Sequence, residues 1–161
     1  GLGEDRLRLD LRRAEGRGLM YRLARPSCRA EWDVYHRIRQ DVLLESRKYD
    51  MEHPDEEEEP LHYPLLLWCG EEAIGTIRID LLDPSTAAFR LVAIDPKCQG
   101  QGHGGKLLIA AEAFAAEKGC SRAVVFSTTE AIGYYEAGGF TEDEWSDCEI
   151  AGVAQMVKNL R

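Results

Sequence analysis

Two hydrophobic rhythms alternate along the chain, and the switches between them predict an α/β order. Residues 6–12 set Leu7, Leu9 and Leu11 between charged residues, a period of two that predicts an edge strand or an arm. Residues 20–25 read as a first core strand stopped at Pro26-Ser27, with Ser27 placed to cap the next helix. That helix is expected over residues 28–46, because Val34, Ile38 and Val42 recur every four residues while Arg37, Arg39, Gln40 and Glu45 take other faces. Strands follow at residues 64–69 and 73–81, across a hairpin spacing at Gly70-Glu71-Glu72. A turn at residues 83–86 leads into a strand over residues 88–94. Three successive strands and then a loop-to-helix crossover imply a mixed sheet.

The best-marked helix covers residues 106–118. Leu107, Leu108, Ala111, Phe114 and Ala115 share a stripe, and Lys118-Gly119 supplies a cationic last turn and a terminal glycine. Residues 122–126 read as a short strand, and Ser127-Thr128-Thr129-Glu130 fits a capping box opening a short helix that ends at Gly138-Gly139. Closing strands are expected over residues 140–145 and 152–160, around a polar turn at Ser146-Asp147. These elements make one α/β (α+β) domain over residues 20–161, with residues 1–19 as an N-terminal arm or extra strand.

Composition narrows the function classes. The chain has 161 residues, 20 basic and 29 acidic, for a net charge of -9. That balance argues against nucleic acid and against an anionic membrane surface as partners. Much of the acid lies in residues 47–60, where Asp50, Glu52, Asp55 and Glu56 to Glu59 exclude a core role. The stretch reads either as a solvated loop or as an acidic lip that attracts a cationic substrate. Five scattered cysteines form no C-x-x-C pair and have no histidine at ligand spacing, so they read as reduced thiols and no metal site is expected. The longest unbroken apolar run, residues 64–69, falls far short of the roughly 20 residues of a membrane span. A soluble, cytoplasmic protein is expected.

The candidate chemistry sits at Gln99-Gly100-Gln101-Gly102-His103-Gly104-Gly105-Lys106, between an apolar strand and the best-marked helix. Four glycines let a bulky anion approach the backbone, and the helix aims unpaired N–H groups at the same spot, which suits phosphate or pyrophosphate. Three patterns compete. Gly100, Gly102 and Gly105 fit the dinucleotide pattern G-x-G-x-x-G, but five residues separate the strand from the first glycine and no acid ends the next strand to hold a ribose. Gly100, Gly105 and Lys106 fit an NTPase loop, but Leu107 stands where the magnesium-binding hydroxyl is needed. Gln99, Gly102 and Gly104 meet Q/R-x-x-G-x-G/A.

In this strand-to-helix context, that third pattern resembles the acyl-CoA motif of the GNAT superfamily of N-acetyltransferases. Downstream, Ala131, Tyr135, Gly139 and Phe140 are similar to the family's A-x-x-x-Y-x-x-x-G-F segment, although Thr128 stands where the family often has Asn. The resemblance implies a single GNAT-like domain with a central mixed, mostly antiparallel sheet of six to seven strands flanked by helices. It also implies a CoA site between two splayed central strands. Acetyl-CoA is the implied co-substrate, its pyrophosphate on the N–H groups of residues 99–105 and Lys106, with Thr128 and Tyr135 nearby. The backbone of Val92, Ala93 and Ile94 is implied to pair with the pantetheine arm, a main-chain N–H near Ile94 polarising the thioester carbonyl. Tyr135 takes the place of the family's general acid, and a phenol stays protonated at neutral pH.

Glu45, Asp80, His62 and Asp83 all remain open as general base, and His103 is disfavoured because a helix N-terminus opposes its protonation. Cys98 borders the loop, but with no His or Asp placed beside it, direct transfer in a ternary complex is simpler than a covalent carrier. The expected activity is N-acetyl transfer to the primary amine of a small metabolite, a cationic one if the acidic stretch is a substrate lip. The alternatives are a non-catalytic acyl-CoA-binding sensor or assembly module, or a protein or peptide amine acetyltransferase. The N-terminal arm and the closing strands offer edges for a homodimer.

Overall fold

In a computed structural model of the chain, residues 6–10, 20–44 and 59–160 are described. Eight strands form one sheet: β1 (Arg6–Asp10), β2 (Met20–Ala24), β3 (His62–Cys69), β4 (Glu72–Asp83), β5 (Thr86–Ile94), β6 (Arg122–Thr128), β7 (Thr141–Glu142) and β8 (Val153–Asn159). Their order across the sheet is β1-β2-β3-β4-β5-β6-β8-β7. Every neighbouring pair is antiparallel except β5 with β6. Seven of the eight, β2 to β8, lie within residues 20–161, matching the six to seven expected there; β1 pairs at one edge and the two-residue β7 closes the other.

Helix α1 (Arg29–Arg39), continued by a π-type turn over Gln40–Leu44, covers one face. Helices α2 (His103–Glu117) and α3 (Ile132–Ala137) belong to the other. The α2 stripe forms the core: Leu107, Leu108, Ala111, Phe114 and Ala115 are all buried, with Leu65, Leu67, Ile77, Ile79 and Phe89 from three strands in the same cluster. Burying a side chain such as Phe114 contributes about 3 kcal/mol. Among the described residues no helix is long and apolar enough to cross a membrane.

Local expectations differ in three places. Cys28, not Ser27, is the N-cap of α1 and makes no side-chain cap; instead the Ser27 N–H and hydroxyl both donate to Glu31, the carboxylate having the longer reach. No capping box forms at residues 127–130, since the Ser127 hydroxyl donates to the Thr128 carbonyl and a 3-10 turn, Thr129–Ala131, precedes α3. The strand expected over residues 140–145 shrinks to β7. Beyond it the Gln155 side chain replaces the ladder, its Oε1 accepting the N–H groups of Trp145 and Ser146 and its Nε2 donating to the Ser146 carbonyl.

Candidate active site

The parallel pair β5–β6 is in register for only three residues, Thr86 to Ala88 against Arg122 to Val124. Beyond Ala88 the strands part. A bulge in β5 accompanies the parting: Arg78 opposes Arg90 and Thr76 opposes Ala93, so two residues of β5 answer one of β4. Leu91, within the bulge, has φ 57, a conformation a branched side chain rarely adopts. Into the opening falls a cleft of about 1970 Å³, lined by Leu91, Val92, Phe126, Thr128, Tyr135 and Trp145 among others.

The glycine loop follows β5 through a short 3-10 turn, Pro96–Cys98. Asp95 builds that turn, one oxygen accepting the Lys97 N–H and the other Arg37 Nη2 at 2.9 Å. Burial works to raise the Asp95 carboxyl, but the Arg37 hydrogen bond and the Lys97 N–H outweigh it and hold it below the usual carboxylate range. Gln99 folds back, its Nε2 donating to the Ile94 carbonyl at 3.0 Å. Gly102 then turns the chain into α2 at φ 86, and no side chain caps the helix start. The first-turn N–H groups of His103, Gly104, Gly105 and Lys106 are the ones a helix leaves without intrahelical partners. Uncapped N–H groups and a strand edge shed by its neighbour fit a pyrophosphate and an extended amide chain respectively.

Helix α3 locks onto this loop. The Tyr134 hydroxyl donates to the Gly104 carbonyl at 2.7 Å, and burial pushes that phenol up, so it stays a donor. Tyr135 is buried, its ring 5.5 Å from that of Phe140. Gly139, at φ 95, ends α3, and Phe140 drops into the core 6.2 Å from Phe89 of β5. The spacing Tyr135 to Gly139-Phe140 thus hangs the tyrosine beside the parted strand.

The structure gathers Val92, Thr128 and Tyr135 around one cleft. Ala93 is buried and Ile94 half-buried, both paired to β4 outside that lining. Gly100, Gln101 and His103 border a second, smaller pocket with Cys98 and Glu72. His103 turns to β2, where its Nδ1 lies 2.8 Å from the Tyr21 hydroxyl. Burial and then the Glu72 carboxylate raise the Cys98 thiol, which opposes the thiolate a covalent carrier needs.

Of the base candidates, Glu45 lies outside the described residues, as do residues 50–58 of the acidic stretch. Asp83 lines the cleft but holds the β4–β5 turn, accepting the Ser85 N–H and hydroxyl. Asp80 is buried: Arg78 donates two bonds of 2.8 Å to it, Arg90 Nε lies 2.8 Å away and the His62 ring Nε2 3.5 Å. Sequence reasoning missed Arg90 and the aromatic pair Phe126–Trp145, whose rings stand 4.5 Å apart. The Trp145 indole N–H donates to the Val125 carbonyl at 3.0 Å. Only the register of β4 with β5 brings the two arginines together, so no local spacing announced them.

Solved structures share this architecture. ElaA from Escherichia coli superposes with a TM-score of 0.70 at 13% identity, over 88% of this chain and 99% of that one. A chimera of Vibrio cholerae spermidine N-acetyltransferase SpeG with hSSAT gives 0.66 at 18%, over 86% and 95%. The PaiA N-acetyltransferase of Thermoplasma acidophilum, in complex with coenzyme A, gives 0.67 at 14%, over 86% and 98%. No curated protein matches the chain significantly by sequence. Residues 19–140, however, match the acetyltransferase (GNAT) family, and the chain therefore belongs to that family of acyl-CoA-binding acyltransferases.

Proposed function

We propose that the chain transfers an acetyl group from acetyl-CoA directly to the primary amine of a small metabolite, within a ternary complex. The observation that carries this reading is the convergence of Val92, Thr128 and Tyr135 on the cleft where β5 leaves β6. Acetyl-CoA, when bound, supplies the activated acetyl group as a thioester. The N–H groups at the start of α2 and the loop from Gln99 to Lys106 hold its pyrophosphate.

The Asp95 N–H donates to Ile74 of β4, so strand alternation turns the Ile94 N–H to the opposite side, toward the opening. Backbone donors at Val92 to Ile94 then bind an extended amide chain and polarise a carbonyl set among them. Tyr135 donates the proton that the leaving thiolate takes up. Cys98 is buried and its thiol is pushed up, which disfavours it as an acyl carrier.

Calorimetry with acetyl-CoA, paired with a thiol-release assay over a panel of primary amines, tests the reading. Binding with amine-dependent thiol release is expected, and Tyr135→Phe is expected to lower kcat about 100-fold with the acetyl-CoA Kd unchanged. Binding without release for any amine leaves a CoA-binding module instead. Unchanged turnover in Tyr135→Phe removes the general-acid role.

A further inference from the structure

The cleft floor on the α1 side carries a cation, Arg90, whose one acidic partner among the described residues is shared with Arg78 and accepts no hydrogen bond from Arg90. Asp80 is the buried acid of that floor, and both its oxygens are taken up by Arg78. Arg90 Nε approaches Asp80 Oδ2 to 2.8 Å, but its N–H does not point at the oxygen and makes no hydrogen bond. The contact is therefore coulombic: Asp80 is the ion-pair partner of the Arg90 guanidinium among the described residues, and no hydrogen bond from Nη1 or Nη2 accompanies it. Asp83, Glu130, Glu144 and Asp147 also line the cleft, yet none pairs with Arg90. The guanidinium is held from behind by Asp80 and from the side by Phe126, whose ring centre lies 6.0 Å from Cζ. Fixed this way, and one-third exposed to the cleft (34%), it presents its outer fork of two nitrogens.

Such a fork matches a carboxylate bidentately, and a partly buried cation without hydrogen bonds gains most from an anion that brings two acceptors. Phe126 and Trp145 stand beside it as an apolar wall. Arg90 immediately precedes the Leu91 bulge and lines the same cleft as Val92, so a carboxylate on Arg90 brings a small molecule into the cleft that the Val92 backbone borders. We propose that the acceptor is an amino carboxylate, an amine bearing a carboxylate that Arg90 binds, with an apolar side chain against Phe126 and Trp145. This rests on the amine-acetyltransferase reading above, and it gives the small amine acceptor of that reading a carboxylate as well.

The test uses matched acceptors at saturating acetyl-CoA: L-phenylalanine against phenethylamine and L-phenylalaninamide, and L-leucine against isoamylamine. The carboxylate member of each set is expected to show kcat/KM at least about tenfold higher. Arg90→Gln is expected to raise KM for L-phenylalanine about 10- to 100-fold while leaving phenethylamine within about twofold and the acetyl-CoA Kd unchanged. Arg90→Lys, which keeps charge but loses the fork, recovers part of the loss.

A measurement independent of turnover is calorimetry of N-acetyl-L-phenylalanine with CoA present, for wild type and Arg90→Gln. Binding lost in the variant supports the carboxylate site even if no amine is acetylated, an outcome that defeats the transfer reading alone. Three results overturn the proposal: equal or better kcat/KM for the amines lacking the carboxylate, Arg90→Gln kinetics equal to wild type, or N-acetyl-L-phenylalanine binding that is absent or indifferent to the variant.

Discussion

In the acetyl-transfer reading proposed above, the donor and acceptor ends of the site recognise their ligands by different means. At the cofactor end the groups on offer are main chain: the uncapped N–H groups at the start of α2 and the β5 edge beyond Ala88. At the acceptor end they are side chains: Asp80, itself held by Arg78 and His62, pairs with Arg90 beside Phe126 and Trp145. A backbone site depends on glycines at fixed spacing and tolerates exchange of most side chains around it. A side-chain cluster under low dielectric is intolerant, because removing one charge strands the others. In that reading chain geometry sets the donor, and a few side chains set the acceptor.

The largest effect that separates the ends is expected from Asp80→Ala. The carboxylate it removes is 5% exposed and answers two arginines and a histidine, and stripping one partner from a buried ion cluster costs about 3–5 kcal/mol. Urea denaturation followed by circular dichroism measures it. A loss under about 1 kcal/mol would mean that water already solvates the cluster, and the contrast between the two ends would collapse. Whatever fraction stays folded at low temperature is expected to keep its acetyl-CoA affinity, since no group of the glycine loop contacts Asp80.

A smaller effect of opposite character is expected at Gly102. A Cβ there meets nothing within 4 Å, so the cost of Gly102→Ala lies in its φ of 86 alone, about 1–2 kcal/mol of left-handed strain. Relief of that strain shifts the loop, so the acetyl-CoA Kd rises while acceptor KM at saturating acetyl-CoA holds. Gly105→Ala is the control for strain: a Cβ there also meets no protein atom, its φ is not positive, and melting is expected to show it neutral or mildly stabilising. Equal effects at the two glycines would show that the loop is not held by its left-handed turn.

The same division explains what the sequence could reveal. Gly102, Gly104, Tyr135 and Gly139-Phe140 are legible because each acts within one turn or one strand-to-helix junction, where spacing along the chain is spacing in space. The α2 stripe and the β3–β4 hairpin are legible for the same reason. Arg78 and Asp80 alternate with Ile77 and Ile79, a pattern that reads as a strand with one wet face; in the fold both faces are buried, the polar one on the α1 side. Arg90 joins Asp80 only through the register shift at the bulge, which no local propensity encodes. The second half of the strand expected at residues 140–145 disappears for a similar reason, since Gln155, ten residues beyond Trp145, supplies the hydrogen bonds.

Asp95 joins the two ends, and its titration is expected to give the smallest effect. Its carboxylate ties α1 to the turn that opens the glycine loop, through Arg37 and the Lys97 N–H. Those partners hold its native pKa below the usual value despite burial. A carboxyl whose pKa is depressed on folding contributes stability in full above its unfolded value, about 3.9, and loses it as pH falls from there through the native value. Arg37 is 45% exposed, so screening limits the contribution to under about 1 kcal/mol. Asp95→Asn is therefore expected to cost little at pH 7 and to flatten the fall of stability below about pH 4. Arg37→Met, which removes the strongest of the lowering contacts, is expected to flatten it in part. Chemical denaturation at stepped pH measures all three proteins. Acid limbs of equal slope would mean that Asp95 keeps its solution pKa and that α1 is tied to the glycine loop by packing rather than by charge.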